Sequence, residues 1–352
     1  MKLYERYRGT EVLVKEICRP DYTDNYLFSV YLAHHWVRNL RDLPILYMIL
    51  NDLLFVCVAV PLVWCYPSHF AGCLYLAVHY YVFFGRYMCV THEFAHTQVF
   101  QNKWLGNFIT LFVLGHAHGL PYGSYYINHV IMHHKGANAW GKDFSSTEKY
   151  NRELWSHFLH YWLRHYSLVG FVYDCVHICV RHGRLKIAAG YMVCCLCWTW
   201  LAFYLCLFSA HGMAALYTMV LPLFITGLFG AVGGWMQHFF VHPSKPRKWY
   251  SYDIINSYAN TRGFNQGFHN THHTLGNLHW TELPGGFQKM LPEYDQDDVL
   301  IIQELDNVQV FVLVMLGAYE WLANFLVTTK PGGHSIDECV QYIRSHLRPV
   351  RL

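Results

Sequence analysis

The chain has 352 residues, of which 54% are hydrophobic, 18% aromatic and only 14% charged. Soluble domains carry about 25% charged residues, so this composition excludes an ordinary soluble domain and predicts a protein that lies partly in lipid. The net charge of +3 is too small to indicate nucleic-acid binding, and the basic residues form no stripe interleaved with stacking aromatic side chains. The 12 cysteines include no pair of CxxC motifs, so we expect reduced thiols.

The first apolar region predicts a transmembrane hairpin. It follows a mixed, charged segment, residues 1–43, in which no apolar core follows a basic start, so we expect an uncleaved cytosolic tail. Residues 44–66 are apolar apart from Asn51 and Asp52, and residues 53–85 contain no Asp, Glu, Lys or Arg. The length of 44–85 suits two spanning helices of about 20 residues each, turning at residues 66–69. Asp52 lies inside the first span, where it either faces other protein or water, or reaches out to the lipid headgroups.

A second apolar region predicts a second hairpin. Residues 187–244 again contain no Asp, Glu, Lys or Arg. We place spans at 187–209 and 213–236, turning at 210–212. Both proposed turns lack Lys and Arg, whereas the longer segments between the hairpins are rich in them, so the positive-inside rule places those segments in the cytosol.

Three further apolar segments are predicted not to cross the membrane. Residues 104–120 are short and are flanked by histidines on both sides, which favours a re-entrant or interfacial helix. Residues 148–184 alternate apolar and polar residues at helical spacing, as helices lying on a bilayer surface do. Residues 307–328 could form a fifth span, but the charge of Glu320 favours a cytosolic or interfacial helix.

Three clusters of histidine carry the chemistry. Histidine gains little by packing and is costly to bury without a partner, so clusters of it indicate metal ligation. At helical spacing, each cluster directs two or three imidazoles to one side. Imidazole suits zinc, copper, iron and nickel. One tetrahedral zinc takes about four ligands, so eight histidines favour two metals: His92, His96, His129, His133, His134, His269, His272 and His273.

Other polar residues near the clusters have less specific interpretations. His238 follows the last predicted span, as His92 follows the second, and is the best candidate for an additional ligand; His242 is the alternative. For His116 and His118 we favour polar groups lining the same site over direct ligation. Three amides either orient the ligands through their outer nitrogens or form turns: Asn265, Gln266 and Asn270.

Together, the three histidine boxes and the two predicted hairpins resemble the membrane fatty acid desaturase superfamily over roughly residues 44–290. The resemblance implies an all-α integral membrane fold with four transmembrane helices in two hairpins and a cytosolic helical cap that holds a histidine-rich di-iron site. Residues 1–43 would then be an N-terminal tail, 44–290 the catalytic domain and 291–352 a C-terminal cytosolic or interfacial extension. Pro121 matches the proline that precedes the family's second box.

Function also follows from this resemblance. It implies an O2-dependent oxidoreductase that introduces a double bond into an acyl lipid or acyl-CoA, using two irons (Fe2+/Fe3+) and an external electron donor, cytochrome b5 or ferredoxin. The expected location is the endoplasmic reticulum membrane, with the metal site facing the cytosol. The three boxes supply eight ligands, and the single histidine after the last span of acyl-CoA desaturases resembles His238.

Two departures from the family pattern stand out. The second box has three residues between His129 and His133, where many members have two. A fused cytochrome b5 domain requires His-Pro-Gly-Gly, whereas this chain has Lys330-Pro331-Gly332-Gly333. No electron carrier is therefore expected within the chain.

Alternative functions remain open at this stage. A lipid hydroxylase or a carotenoid ketolase or hydroxylase would use the same histidines. The sequence His92-Glu93-Phe94-Ala95-His96 is also an HExxH motif, in which an intramembrane zinc protease would use Glu93 as general base; in a desaturase, Glu93 would support a ligand or be solvated. A metal-binding membrane scaffold without turnover is the non-enzymatic alternative.

Overall fold

A computed structural model describes residues 35–327 and 335–350. Most of the predicted N-terminal tail and the sequence Lys330-Pro331-Gly332-Gly333 lie outside the described residues. The described chain divides into two compact units. We call residues 35–132 and 164–230 the helix unit, and residues 133–163 and 231–350 the sheet unit.

The helix unit begins with the first predicted hairpin. A 3-10 turn, Leu40–Asp42, leads into α1, Leu43–Cys65. The chain turns where Pro67 interrupts it, and the hydroxyl of Ser68 then accepts a hydrogen bond from the Ala71 amide to cap α2, His69–Val78. A π-helical segment, His79–Phe84, continues α2 into α3, Gly85–His96. The first histidine box therefore lies in the last two turns of this continuous helix.

A shorter helix follows the first box. It consists of α4, Lys103–Asn107, a π-helical segment, Phe108–Leu114, and α5, Gly115–Ala117. It has fewer residues than the roughly 20 that a spanning helix needs. A further π-helical segment, Tyr126–His133, and α6, His134–Gly136, carry the second box.

The segment between the two apolar regions is helical, as predicted. It comprises α7, Trp155–Tyr161, a π-helical segment, Trp162–Tyr166, and α8, Leu168–Arg181. The second hairpin follows with α9, Leu185–Phe208, and a helix made of α10, Gly212–Ala215, a π-helical segment, Leu216–Val220, and α11, Leu221–Gln237. The observed turn agrees with the one predicted at 210–212.

Three helices within the described residues are long and apolar enough to cross a membrane, judged by length and composition: Leu40–Cys65, Leu185–Phe208 and Gly212–Gln237. They correspond to three of the four predicted spans. The helix that begins at His69 is not among them. Four spans, and the side on which each loop lies, therefore stay predictions.

The sheet unit contains the elements that the sequence did not predict. Its helices are α12, Tyr258–Arg262, α13, His269–Thr274, α14, Leu283–Asp297, α15, Asn307–Met315, α16, Tyr319–Ala323, and α17, Ile336–Leu347, with a 3-10 turn at Trp280–Glu282. Three short strands form a sheet in the order β1, Asp253–Ile255, β2, Ile301–Gln303, and β3, Leu326–Val327.

This sheet corrects the expectation of an all-α fold, although the chain is mostly helical. β1 and β2 are parallel, with Asp253 opposite Ile301, and β2 and β3 are antiparallel, with Ile301 opposite Val327. Strands of two or three residues are too short to show an alternating pattern, so sequence periodicity could not reveal them. Within the predicted segment 307–328, α15 has nine residues, too few to span a bilayer.

The sheet and the third box share one hydrophobic core. Ile255 and Ile301 pack with Phe268, which directly precedes α13, and with Phe287 and Tyr294 of α14. Burial of such side chains stabilises a fold by roughly 1.5–3 kcal/mol each. The core therefore fixes α13, and with it the third box, against the sheet.

Candidate metal centre

Four histidines of the sheet unit bring their ring nitrogens together. His133 comes from the second box, His238 follows α11, and His269 and His273 lie one turn apart on α13. One nitrogen from each lies within 4.8 Å of the others, and the side chains are buried or half-buried. The sequence separates these residues widely, so the fold itself assembles the cluster.

The outer nitrogen of His133 is held by a carboxylate. Its Nδ1 lies 2.7 Å from Oδ2 of Asp143, whose other oxygen accepts hydrogen bonds from the amide and hydroxyl of Ser145. Burial alone would raise the pKa of Asp143, but the His133 imidazole and these hydrogen bonds hold it below its ordinary value. Because the ionised carboxylate accepts the Nδ1 proton, Nε2 of the neutral imidazole can present its lone pair to the cluster.

His238 is oriented in the same way by the backbone. Its Nδ1 donates to the carbonyl oxygen of Tyr250 at 2.8 Å, so its Nε2 also presents a lone pair. Burial, followed by the neighbouring His133, lowers the pKa of His238 to about 3. The imidazole is therefore neutral, as a metal ligand must be.

The inner nitrogens of the cluster lie close together. Nε2 of His269 lies 3.2 Å from Nε2 of His238 and 3.1 Å from Nε2 of His273. The Nε2 atoms of His133 and His238 can present lone pairs to this group, because the Nδ1 atoms of both rings have acceptors. A nitrogen-rich donor set of this kind fits iron, zinc or copper.

The remaining boxes form two smaller groups, each within its own unit. In the sheet unit, Nε2 of His134 lies 3.1 Å from Nε2 of His272. In the helix unit, Nε2 of His96 lies 3.0 Å from Nε2 of His129, and the ring of His92 lies 4.6 Å from that of His129. Every box residue is thus close to another box histidine.

Glu93 is buried rather than solvated. Its Oε1 lies 3.2 Å from Nδ1 of His92, and 5% of the residue is exposed. The carboxylate can therefore fix the orientation of the His92 ring, in the way that Asp143 fixes His133.

A second buried carboxylate, which the sequence analysis missed, holds the third box. Asp253 of β1 accepts hydrogen bonds from the amides of Asn270 and Thr271 at 2.8 and 3.1 Å, and from the Thr271 hydroxyl at 2.6 Å. The Tyr294 hydroxyl donates at 2.7 Å to Oδ2 of Asp253, the oxygen that also accepts from the Thr271 hydroxyl. Burial raises the pKa of Asp253 to about 6, against the effect of these bonds. A charged residue opening the apolar run Asp253-Ile254-Ile255 was the available signal.

Arg152 is another residue that the sequence analysis did not single out. It is fully buried and donates to six backbone carbonyls, among them Phe239 at 2.6 Å, His346 at 2.8 Å and Arg348 at 2.7 Å. Burial lowers the pKa of Arg152 to about 9, so the side chain remains charged at neutral pH. It fixes the backbone that directly follows His238.

The structure separates His242, the alternative ligand, from the four-histidine cluster. Its Nε2 donates to the carbonyl oxygen of Asp297 at 2.9 Å, and its Nδ1 accepts from the amides of Ser244 and Lys245. Both ring nitrogens are thus used within a loop.

His116 and His118 contact residues other than the box histidines. His118 Nε2 lies 2.7 Å from Oδ2 of Asp52, and its Nδ1 lies 2.9 Å from Nε2 of His79. His116 lies against the carbonyl of Phe112 and the thiol of Cys194. Asp52 is 5% exposed, which confirms that it faces other protein and does not reach the headgroups.

The amides near the third box hold the backbone. Asn265 has a left-handed φ of 59° and donates to the carbonyl of Trp280, as a turn-forming residue does. Asn270 donates to the Tyr294 hydroxyl at 2.8 Å, so this amide fastens α13 to α14.

A cavity of about 640 Å³ lies within the helix unit. Its wall includes His96 of the first box and apolar or aromatic side chains such as Tyr87, Phe94, Leu111 and Tyr191. Ligand pockets commonly measure about 300–1,000 Å³ and are mostly apolar. The helix unit can therefore accommodate an apolar molecule beside a box histidine.

Comparison with known protein families decides the identity. The family model described as "Fatty acid desaturase" matches residues 67–304, about two thirds of the chain. The chain belongs to the fatty acid desaturase family. The match includes the three boxes and His238 of this desaturase-family chain. Searches of curated proteins and of solved structures found no match.

Membership confirms the resemblance drawn from the histidine boxes. Desaturase-family proteins are oxidoreductases, are membrane-associated, act on lipids and in general depend on two irons. The four-histidine cluster fits such a metal by its donor set and by the orientation of its ring nitrogens. In this desaturase-family chain, His133, His238, His269 and His273 would hold one iron.

Proposed function

We propose that this protein is a membrane-bound acyl-lipid desaturase, which uses O2 and two irons to introduce a double bond into an unactivated hydrocarbon chain. The observation that carries the proposal is the four-histidine cluster. The outer nitrogens of His133 and His238 are fixed by Asp143 and by the Tyr250 carbonyl, and one nitrogen of each of the four rings lies within 4.8 Å of the others.

Nine histidines are proposed as iron ligands. His133, His238, His269 and His273 form one set. The sequence predicts that the other five box residues are ligands of the second iron: His92, His96, His129, His134 and His272. An all-imidazole shell leaves coordination positions for oxygen, which distinguishes it from the carboxylate-rich shell of the soluble di-iron bundles.

The residues of the chain position the ligands and hold their protons. When bound, a reduced pair of irons supplies the electrons for O2 activation. Asp143 and Tyr250 keep a proton on Nδ1 of His133 and His238, which fixes the tautomer and the ring direction. Asp253 and Arg152 hold the backbone on either side of the cluster, so that the ligands are preorganised.

The cavity of the helix unit is proposed as the binding site of the acyl chain. Its wall is mostly apolar and includes His96. A chain held in a fixed register would present one carbon to the reactive centre, so position would be selected by distance. Electrons would come from an external donor, cytochrome b5 or ferredoxin. We place the protein in the endoplasmic reticulum membrane with the site on the cytosolic side.

Lipid profiling tests this proposal. Cells that express the wild-type chain are compared with cells that express His133→Ala or His272→Ala at equal membrane levels. We expect an additional double bond in one lipid class, found only with the wild-type chain. A hydroxyl or keto group in its place would assign the hydroxylase or ketolase branch, and an unchanged lipidome would contradict lipid oxidation.

A further inference from the structure

Helices α8 and α9 of the helix unit line an open groove of about 870 Å³. They are joined by a tight turn in which Gly183 has a left-handed φ of 67° and the Arg184 amide donates to the carbonyl of Cys179. Cys175 and Cys179 lie on the buried inner face of α8. The groove runs beside this face, and none of the box histidines lines it.

The lining is a pair of apolar stripes at helical spacing. On α8 the stripe includes Val169, Val176 and Val180, and on α9 it includes Met192 and Leu196. Two of these side chains are well exposed, Val169 at 79% and Leu196 at 61%. A contiguous exposed apolar surface of this kind marks a contact with lipid or protein.

The depth of the groove indicates lipid. α9 is a candidate membrane span that begins at Leu185. At 1.5 Å per residue, Met192 lies about 10 Å and Thr199 about 21 Å along it, so the groove lies within the hydrocarbon layer. α8 has 14 residues and is thus about 20 Å long, whereas one leaflet contributes about 15 Å of hydrocarbon. The groove is therefore long enough for one acyl chain of one leaflet. This placement takes α8 into the hydrocarbon layer beside α9, in place of the surface position expected from the sequence.

The charge at one end selects the headgroup. The turn region carries Arg181, which lines the groove, together with Arg184. Basic residues next to a membrane span attract anionic lipid headgroups. The long apolar stem of an arginine can pack along the groove while its guanidinium reaches the phosphate.

We propose that the groove between α8 and α9 binds one anionic phospholipid, with an acyl chain along the apolar stripes and the headgroup at Arg181 and Arg184. This site is separate from the cavity proposed for the substrate and does not depend on the proposed reaction. It would fasten the α8–α9 hairpin to the cytosolic leaflet.

Native mass spectrometry of the purified full-length chain tests the site. The protein is mixed with equal amounts of phosphatidylglycerol and phosphatidylcholine that carry identical acyl chains. We expect preferential retention of one phosphatidylglycerol, a preference lowered about tenfold in R181Q/R184Q and retained in the control K142Q/K289Q, which has the same change in charge. Excess inorganic phosphate should not displace the lipid, because the groove contributes binding.

A second variant tests the groove itself. Val176→Trp fills the groove without changing the charge, so it should lower retention of both lipids. Equal retention of the two lipids by the wild-type chain, unchanged selectivity in R181Q/R184Q, or displacement by phosphate would overturn the proposal. So would a lipid-free dimer of the wild-type chain, which would assign the groove to a second copy.

Discussion

Two groups of buried histidine in this protein differ in what their ring nitrogens face. In the sheet unit, His133, His238, His269 and His273 direct one nitrogen each to a common point. In the helix unit, Asp52, His118 and His79 form a linear chain, with contacts of 2.7 Å and 2.9 Å on opposite nitrogens of His118. Both groups are buried, and both contain residues that a count of histidines would treat alike.

Proton positions explain the difference. In the linear chain, Nε2–H of His118 can donate to Asp52 while its Nδ1 accepts from Nε2–H of His79, so each contact has one donor and one acceptor. The ring of His118 also stacks on Tyr87, with centroids 4.1 Å apart. In the four-histidine cluster, one nitrogen of each ring approaches the other three, and the Nε2 atoms of His133 and His238 can present lone pairs. A linear arrangement thus indicates a structural contact between helices, whereas ring nitrogens that meet at one place indicate a cation site.

The largest expected effect comes from removing a cluster nitrogen. His238→Ala should lower product formation by at least about 100-fold, because an iron ligand is lost while Asp143 and His133 stay in place. His242→Ala is the matched control, since His242 lies four residues later and uses its nitrogens in a loop; its activity should stay near that of the wild type. Product yield per membrane protein is the measurement, and equal loss in both variants would refute the assignment.

Removing His118 from the linear chain should lower the stability of the fold and leave the iron content unchanged. His118→Ala leaves Asp52 buried without its partner, which costs about 3–5 kcal/mol, while the iron content of the folded fraction should not change. Thermal unfolding in detergent, combined with iron analysis of the folded protein, measures both quantities. Loss of iron at unchanged stability would show that His118 belongs to the metal site.

A smaller effect is expected from the carboxylate that orients His133. Asp143→Asn keeps the size of the side chain but removes the charge that accepts the Nδ1 proton. Iron affinity should fall by about 10–100-fold, as for other residues that orient metal ligands. Iron retention against a graded series of chelator concentrations measures this change, with Asp295→Asn as an exposed control. Unaltered retention would mean that the Asp143 contact does not tune the ligand.

The smallest effect concerns Asp253. The pKa of its carboxyl is about 6 in the fold, above the ordinary value of about 3.9 in an unfolded chain. The folded state therefore holds this proton more tightly, and the contribution of Asp253 to stability rises as pH falls from about 6 to about 4. Asp253→Asn lacks this contribution, so the stability difference between variant and wild type should change across this window. Parallel curves would contradict the raised pKa.

The sequence predicted the helices better than the contacts between them. Turns at 66–69 and 210–212 followed from Pro67 and from the gap between two apolar runs, and the histidine boxes identified the family. The three-stranded sheet was missed because its strands have only two or three residues. Asp253 contacts residues 17 and 18 positions later, as well as Tyr294, and no local pattern encodes such distant partners.

Histidine spacing alone also failed to sort ligands from structural residues. His116 and His118 precede His129 of the second box by only 13 and 11 residues in the sequence. The partner of His118 is nevertheless Asp52, 66 residues earlier, which accepts the His118 proton. The sequence favoured His238 over His242 only by its position directly after the last predicted span. What separated them was the partner of each ring nitrogen: the Tyr250 carbonyl leaves Nε2 of His238 available, whereas the loop occupies both nitrogens of His242.

Metal analysis of the purified chain tests the central claim most directly. After anaerobic purification and loading with ferrous iron, the wild-type protein should contain two irons per chain, as the family does in general, and His273→Ala should contain about one. A single zinc per chain, no bound metal, or an iron content that His273→Ala does not change would contradict the assignment of the four-histidine cluster as an iron site.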